Sequence, residues 1–593
     1  MTPVKQARGF RLKSFLRSKG CQRQRWIWLS FSLAIAVLYS LPALQQAFAA
    51  EYVVQDDARQ HVFWLQRFVD PALFADDLLA DYFQSVAPWG YQALYWLAAQ
   101  IGLAPLLFNR LLPVALNLIV TGYCFGLTLQ LVPVPLAGFV AALFLNQNLL
   151  LRDDVVSATP AAFIYPLLLA FLYYLQRRSL VPYGLTILLL GLFYPQGVLI
   201  VAGVLLLRLL PWPQSRPNSS QADALFHGSG LAIAILVLLP YALSPSAYGP
   251  VLTAAQAQAM PALSAAGWSE FFNPNFMEYW LCGKRSGLLP VDWCDAKLLL
   301  PQIWLALLLP LVLWQRRSRS NSAAAILGQV LIASGGLFAI AHGLLFKLHL
   351  PSRYSEHSLR LVAAIAAGIT VAELLQRSQP LRQRTWQLLA AGLSFWAIAP
   401  LVAYFAFLIP IAPVGNYIQG EYPQLYQFLQ AQPQDSLIVS LSPEVNNLPS
   451  FTQRSILVGG EGYALPYHLG YYAQIRQRTV DLIQAQYTTD STELNRFIEQ
   501  YNIDFWLLEP DTFTLDWVQR SRWLRQYAEV TTPQQVLQSG KIPALAQHRD
   551  RCTVFQTQDW AVVAAECIRQ NLGSAHLRLG QRVPISVAAE KIR

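Results

Sequence analysis

The chain has 593 residues, of which 54% are hydrophobic, 12% aromatic and only 13% charged, with a formal net charge of +10. Soluble domains carry about 25% charged residues, so this composition points to a polytopic membrane protein. The basic residues collect in short clusters between apolar runs, which is how cytoplasmic loops read, and this excludes nucleic acid as the partner of the positive charge.

A spanning helix needs roughly 20 apolar residues. On that measure about eleven spans are expected, near 26–49, 106–130, 133–151, 160–176, 181–194, 196–210, 228–245, 299–315, 323–345, 359–375 and 386–410. The fifth and sixth are short and meet at FYPQG, as a broken pair would. Residues 1–25 carry Lys5, Arg8, Arg11, Lys13, Arg17, Lys19, Arg23 and Arg25, which places this N-terminus in the cytoplasm. Alternating sides from there puts Arg177, Arg178, Arg216, Arg316, Arg317, Arg319, Arg377, Arg382 and Arg384 inside as well. Ala47-Phe48-Ala49 resembles a signal-peptidase site, but the apolar run ahead of it exceeds a signal h-region, so an uncleaved anchor is expected. This plan fits a bacterial cytoplasmic (inner) membrane.

The first outer loop, 51–105, is acidic: Glu51, Asp56, Asp57, Asp70, Asp76, Asp77 and Asp81 stand against Arg59 and Arg67. Its second half, WGYQALYWLAAQIGLAP, is amphipathic and aromatic and reads as a segment along the membrane surface. The third span ends in RDDVVSATP, bringing Arg152, Asp153 and Asp154 to the same face. The ninth ends in FKLHLPSRYSEHSLR, adding Lys347, His349, Arg353, Tyr354, Glu356, His357 and Arg360.

These residue types suit one chemistry. A carboxylate can take a proton from an acceptor hydroxyl, and a second carboxylate beside it raises its pKa. Paired carboxylates can also hold a divalent metal such as magnesium or manganese, here at Asp57 and Asp154. Arginine grips a phosphate leaving group and stabilises the charge that develops on it. Each cluster alone also reads as a solvated loop end; what favours function is their arrival on one side.

Residues 411–593 have a soluble character. DSLIVSLSP and IDFWLLEP read as strands and LGYYAQIRQRTVDLIQAQY and STELNRFIEQYN as helices, which suggests an extracytoplasmic α/β domain. The Gly-rich GGEGYALPYH, 459–468, reads as a turn. Cys282 and Cys294 share one outer loop, and Cys552 and Cys567 share the outer domain; an oxidising compartment permits disulfides there, with free thiols as the alternative.

The order of motifs (QDDARQHVFW after the first span, RDDVVSATP after the third, LPSRYSEHSLR late) resembles that of the GT-C glycosyltransferases, over about 26–410. That resemblance implies a polytopic helical GT-C-like fold, with a soluble outer domain after the last span as is common in the superfamily. It also implies a sugar moving from a polyprenyl-phosphate donor to a glycan, lipid or protein acceptor at the outer face. It assigns the base or metal ligand to Asp57, with Asp56 as the neighbouring choice and Asp76-Asp77 as a competing pair. Asp153 and Asp154 become the second acidic motif. Arg353, with Lys347, Arg152 or Arg360, becomes the donor-phosphate group. A transporter or flippase of lipid-linked substrates and a non-catalytic envelope scaffold are the rival readings; the first expects charges deep within spans and an internal repeat, and neither is evident.

Overall fold

Helix Pro135–Leu150 is the axis around which the membrane part is built. Every residue from Ala137 to Leu150 is buried, which accounts for a sequence that is apolar all round rather than striped. In this computed structural model, which describes residues 19–210, 221–295, 301–314, 321–377 and 416–575, helices Lys19–Ala47, Pro105–Leu131 and Ser352–Arg377 pack against that axis. Ser352–Arg377 approaches it closely at Gly368. A Cβ there would fall 2.6 Å from the Ala137 carbonyl oxygen, so a small residue is required at the crossing.

Among the described residues, five helices have the length and apolarity to cross a membrane: Gln22–Ala47, Pro105–Leu131, Gln221–Leu243, Ala323–Gly343 and Ser352–Leu374. The other expected spans up to residue 315 are helices too, but shorter. Pro135–Leu150 has 16 residues and reaches only about 24 Å at about 1.5 Å per residue, against a hydrocarbon core of about 30 Å. Leu180–Phe193 and Pro195–Leu209 are separated at Tyr194, where Pro195 opens the second helix; the FYPQG break is real. The span expected at 386–410, the boundary near 411, the basic groups at 1–18, Arg216, Arg316, Arg317, Arg319, Arg382 and Arg384, and residues 576–593 lie outside the described residues.

The chain divides into two compact units, Met1–Glu421 with Leu465–Tyr472, and Tyr422–Ala464 with Ala473–Arg593. The first unit contains one short antiparallel ribbon. Strand β1 (Val53–Gln55) pairs with β2 (Tyr417–Gln419) in the register Val53 to Gln419 and Gln55 to Tyr417. The second unit is built on a five-stranded sheet formed by β3 (Leu437–Val439), β4 (Ser455–Ile456), β5 (Phe505–Leu508), β6 (Thr553–Gln556) and β7 (Ala561–Ala564), in the order β4-β3-β5-β7-β6. β3 is parallel to both β4 and β5, while β7 runs antiparallel to β5 and β6. Trp506, Leu508, Phe497, Ile498, Ile483 and Val563 form its core. Within that unit the Gly460 amide donates to Asn446 Oδ1 at 2.9 Å, so the Gly-rich stretch is a packed turn. Disulfides join Cys282 to Cys294 and Cys552 to Cys567.

Candidate functional site

The site grows from the ribbon. Gln55, the last residue of β1, caps a short helix, Asp56–His61, by accepting from the Ala58 amide at 3.1 Å. That cap fixes where Asp56 and Asp57 leave the backbone, and they leave it differently. Asp56 forms an ion pair with Arg59 one turn on. Asp57 keeps accessible surface. Burial, then repulsion from Asp153 and Asp56, pushes its carboxyl up to about 6, with Lys284 and Arg353 acting against the rise.

Asp153 and Asp154 sit on the irregular backbone that follows the axial helix. Both residues are buried. They face opposite ways. Asp153 accepts from Asn416 Nδ2 at 2.7 Å, the residue just before β2, so the same ribbon positions Asp56, Asp57 and Asp153. Asp154 turns inward to Tyr165, whose hydroxyl donates to Oδ2 at 3.0 Å. Burial alone would raise Asp154, but Arg152, His357, Arg353 and Arg360 outweigh it and hold the carboxyl well below the usual range. Arg152 lies between Glu356 at 3.5 Å and Asp154 at 4.0 Å.

Sequence reasoning placed Glu356 and His357 in the late cluster without giving either a role, and it passed over Tyr165. Arg353 Nη1 donates to Glu356 Oε1 at 2.6 Å, with the arginine side chain still 23% exposed. His357 is fully buried, with Nδ1 3.0 Å from the Tyr165 hydroxyl. Tyr165 has one proton and gives it to Asp154, so His357 presents Nδ1–H to the tyrosine oxygen. The signal in the sequence was the consecutive Glu-His between Arg353 and Arg360 at the start of a buried helix, where ionisable groups are costly and need partners.

The remaining expected phosphate ligands separate. Arg360 has no accessible surface and makes a two-pronged ion pair with Asp292, one contact being 2.9 Å; it has no face left for a ligand. Lys347 is exposed in the turn ahead of helix Ser352–Arg377, and no described contact ties it to the carboxylates. His349 is pushed down to about 3, by burial first and then by Arg353, His468 and Arg285, so it is uncharged at neutral pH. The competing acidic pair is used locally: Asp77 is buried and caps helix Leu78–Val86, accepting from the Ala80 amide at 2.9 Å.

Among the described residues no three His, Cys, Asp or Glu side chains converge as a metal site. Asp154 is matched by cations, and Asp57 and Asp154 make no shared cluster. The donor set does not fit a divalent ion held at Asp57 and Asp154.

No protein-family model matches the chain, and a comparison with curated proteins gives no match. Comparison with solved structures does. The oligosaccharyltransferase of Archaeoglobus fulgidus in the apo form aligns over 84% of this chain and 72% of its own, with a TM-score of 0.50 and 12% identity. The archaeal oligosaccharyltransferase AglB from the same organism, in complex with an inhibitory peptide and a dolichol-phosphate, aligns over 84% and 71%, with a TM-score of 0.51 and 12% identity. At that identity the likeness establishes the fold alone, that of the archaeal oligosaccharyltransferase.

Proposed function

We propose that this membrane protein is a glycosyltransferase that moves a sugar from a polyprenyl-phosphate donor to an acceptor on a glycan, lipid or protein of the cell envelope, at the outer face of the membrane. The observation that carries this reading is convergence. An open carboxylate raised by its surroundings (Asp57), a second buried acid (Asp153) and a half-buried guanidinium (Arg353) come from segments about 100 and 200 residues apart and act on one another electrostatically.

Asp57 accepts the proton of the acceptor's nucleophilic group as that atom attacks the anomeric carbon of the sugar. The bond from that carbon to the phosphate oxygen breaks, and the polyprenyl phosphate leaves with the bonding electrons. Arg353 meets the charge that grows on the leaving oxygen. Arg152, Asp154, Glu356, His357 and Tyr165 form a layer behind Arg353 that holds its fork in place; they position and do not react. The archaeal AglB structure holds a dolichol-phosphate and a peptide. A lipid phosphate of that kind suits Arg353, and a peptide is one of the acceptors admitted here.

The test is purified protein in lipid nanodiscs given a polyprenyl phosphate carrying a radiolabelled hexose or pentose, with an envelope extract, or water alone, as the acceptor. The wild type is expected to release polyprenyl phosphate, and Asp57→Asn to do so about 10²–10⁴-fold more slowly with unchanged thermal unfolding near pH 4. Equal rates would remove Asp57 as the base. Movement of the intact donor between leaflets without release would make the protein a transporter.

A further inference from the structure

The segment CGKRSG, Cys282 to Gly287, has features that a solvated turn does not need. The Gly287 amide donates to the Gly283 carbonyl at 2.8 Å, and Leu288 and Leu289 donate back to Trp280 and Leu281 at 3.0 and 2.8 Å. A Cβ on Gly283 would lie 2.4 Å from the Glu278 carbonyl oxygen, and one on Gly287 would lie 2.7 Å from that of Gly283. Backbone packs on backbone, and only glycine fits.

The turn is tied down on every side. Cys282 is bonded to Cys294. Ser352 Oγ donates to the Lys284 carbonyl at 3.0 Å and the Ser352 amide to that of Arg285 at 3.3 Å. His342 Nε2 sits 2.9 Å from the Ser286 carbonyl. Asp292, two residues before Cys294, is locked by the buried Arg360. Ser286 is buried, so the side chains the turn presents are Lys284, exposed, and Arg285, half-buried. Neither has an ion-pair partner among the described residues. Both stand beside Ser352, next in sequence to Arg353.

Lys284 acts electrostatically on Asp57 and Arg285 on His349. Arg152 and Arg353 are balanced by Asp154 and Glu356, Arg59 by Asp56 and Arg360 by Asp292. Asp57 and Asp153 are left, and His349 adds no charge. A donor phosphate entering here would meet a net negative site unless two more cations served it.

We propose that Lys284 and Arg285 bind the phosphate of the lipid-linked donor, completing with Arg353 a clamp whose shape is set by the disulfide-stapled turn. This rests on the function proposed above. Arginine contributes a planar fork and lysine a mobile point charge, a pairing suited to a tetrahedral anion.

The experiment measures binding of a short-chain polyprenyl phosphate to the full chain in phosphatidylcholine nanodiscs at low salt. The wild type is expected to bind. The Lys284→Met/Arg285→Met pair is expected to weaken binding by about tenfold or more, since hydrogen bonds to charged groups are the strong ones. The Lys284→Arg/Arg285→Lys pair should stay within about threefold, which separates loss of charge from loss of fold. If the Met pair binds as the wild type does while Arg353→Met does not, the inference fails and the donor site stands. If the wild type binds no polyprenyl phosphate, both this inference and the functional reading fall. If the wild type binds only when phosphatidylglycerol is added, the turn reads bulk headgroups, and the inference is overturned.

Discussion

Asp57 changes charge in the range where a base must work. Its folded value of about 6 lies above the unfolded carboxylate value of about 3.9. The ionised form therefore destabilises the fold. That penalty is absent below pH about 4, grows between about 4 and 6, and is complete above about 6. Two results follow for the full chain. Transfer should rise with pH through an inflection near 6 in a kcat/KM profile, and Asp57→Asn should raise the melting temperature at pH 7.5 while leaving it unchanged near pH 4. A profile flat from pH 5 to 8 would remove Asp57 as the titrating base. Two adjacent aspartates look alike in the sequence. What separates Asp56 from Asp57 is Arg59 on the next turn and Asp153 arriving from 96 residues away. Only the first of these is legible locally. Arg353 and Arg360 likewise share a helix two turns apart, and which one stays open depends on Asp292, 68 residues earlier.

At the scale of elements, the buried Arg360–Asp292 pair and the Cys282–Cys294 bond are the parts that hold the turn. Arg360→Met leaves Asp292 charged, buried and unmatched, which costs about 3–5 kcal/mol. Adding Asp292→Leu should recover most of that loss, measured by thermal or denaturant unfolding in detergent, because an apolar pair can replace a buried ion pair. If the double substitution is as unstable as the single one, the pair is more than a matched charge. The Cys552–Cys567 bond closes a segment of sequence separation 15, worth about 3 kcal/mol by loop-closure entropy. Its removal should unfold the sheet unit earlier without touching donor binding. Long apolar helices were readable from composition because period and length are strong signals. The three-residue strands β1 and β2 were not. They are too short to show alternation, and their pairing spans more than 350 residues of chain. The axial helix was read as a full span, yet it is shorter than the bilayer core because the protein around it, rather than lipid, is its solvent.

For the whole molecule, the likeness to the archaeal oligosaccharyltransferase extends over 84% of the chain at 12% identity. A fold can persist at that identity because burial pattern and packing set it, while the reaction depends on a few side chains. The three motifs were found in the sequence because charge at the edge of an apolar run is rare and needs a reason. Tyr165, which joins Asp154 to His357 behind them, was hidden because it looks like an ordinary helix residue until the helices meet.

The most direct test of the central claim is mass spectrometry of lipids and envelope glycans in a deletion strain complemented with wild type or with Asp57→Asn. The account predicts that a polyprenyl-phosphate-linked sugar accumulates and one glycan, glycolipid or glycoprotein loses that sugar in both the deletion and the Asp57→Asn strain, while wild type restores both. Full restoration by Asp57→Asn, or a deletion that leaves both pools unchanged, would contradict it.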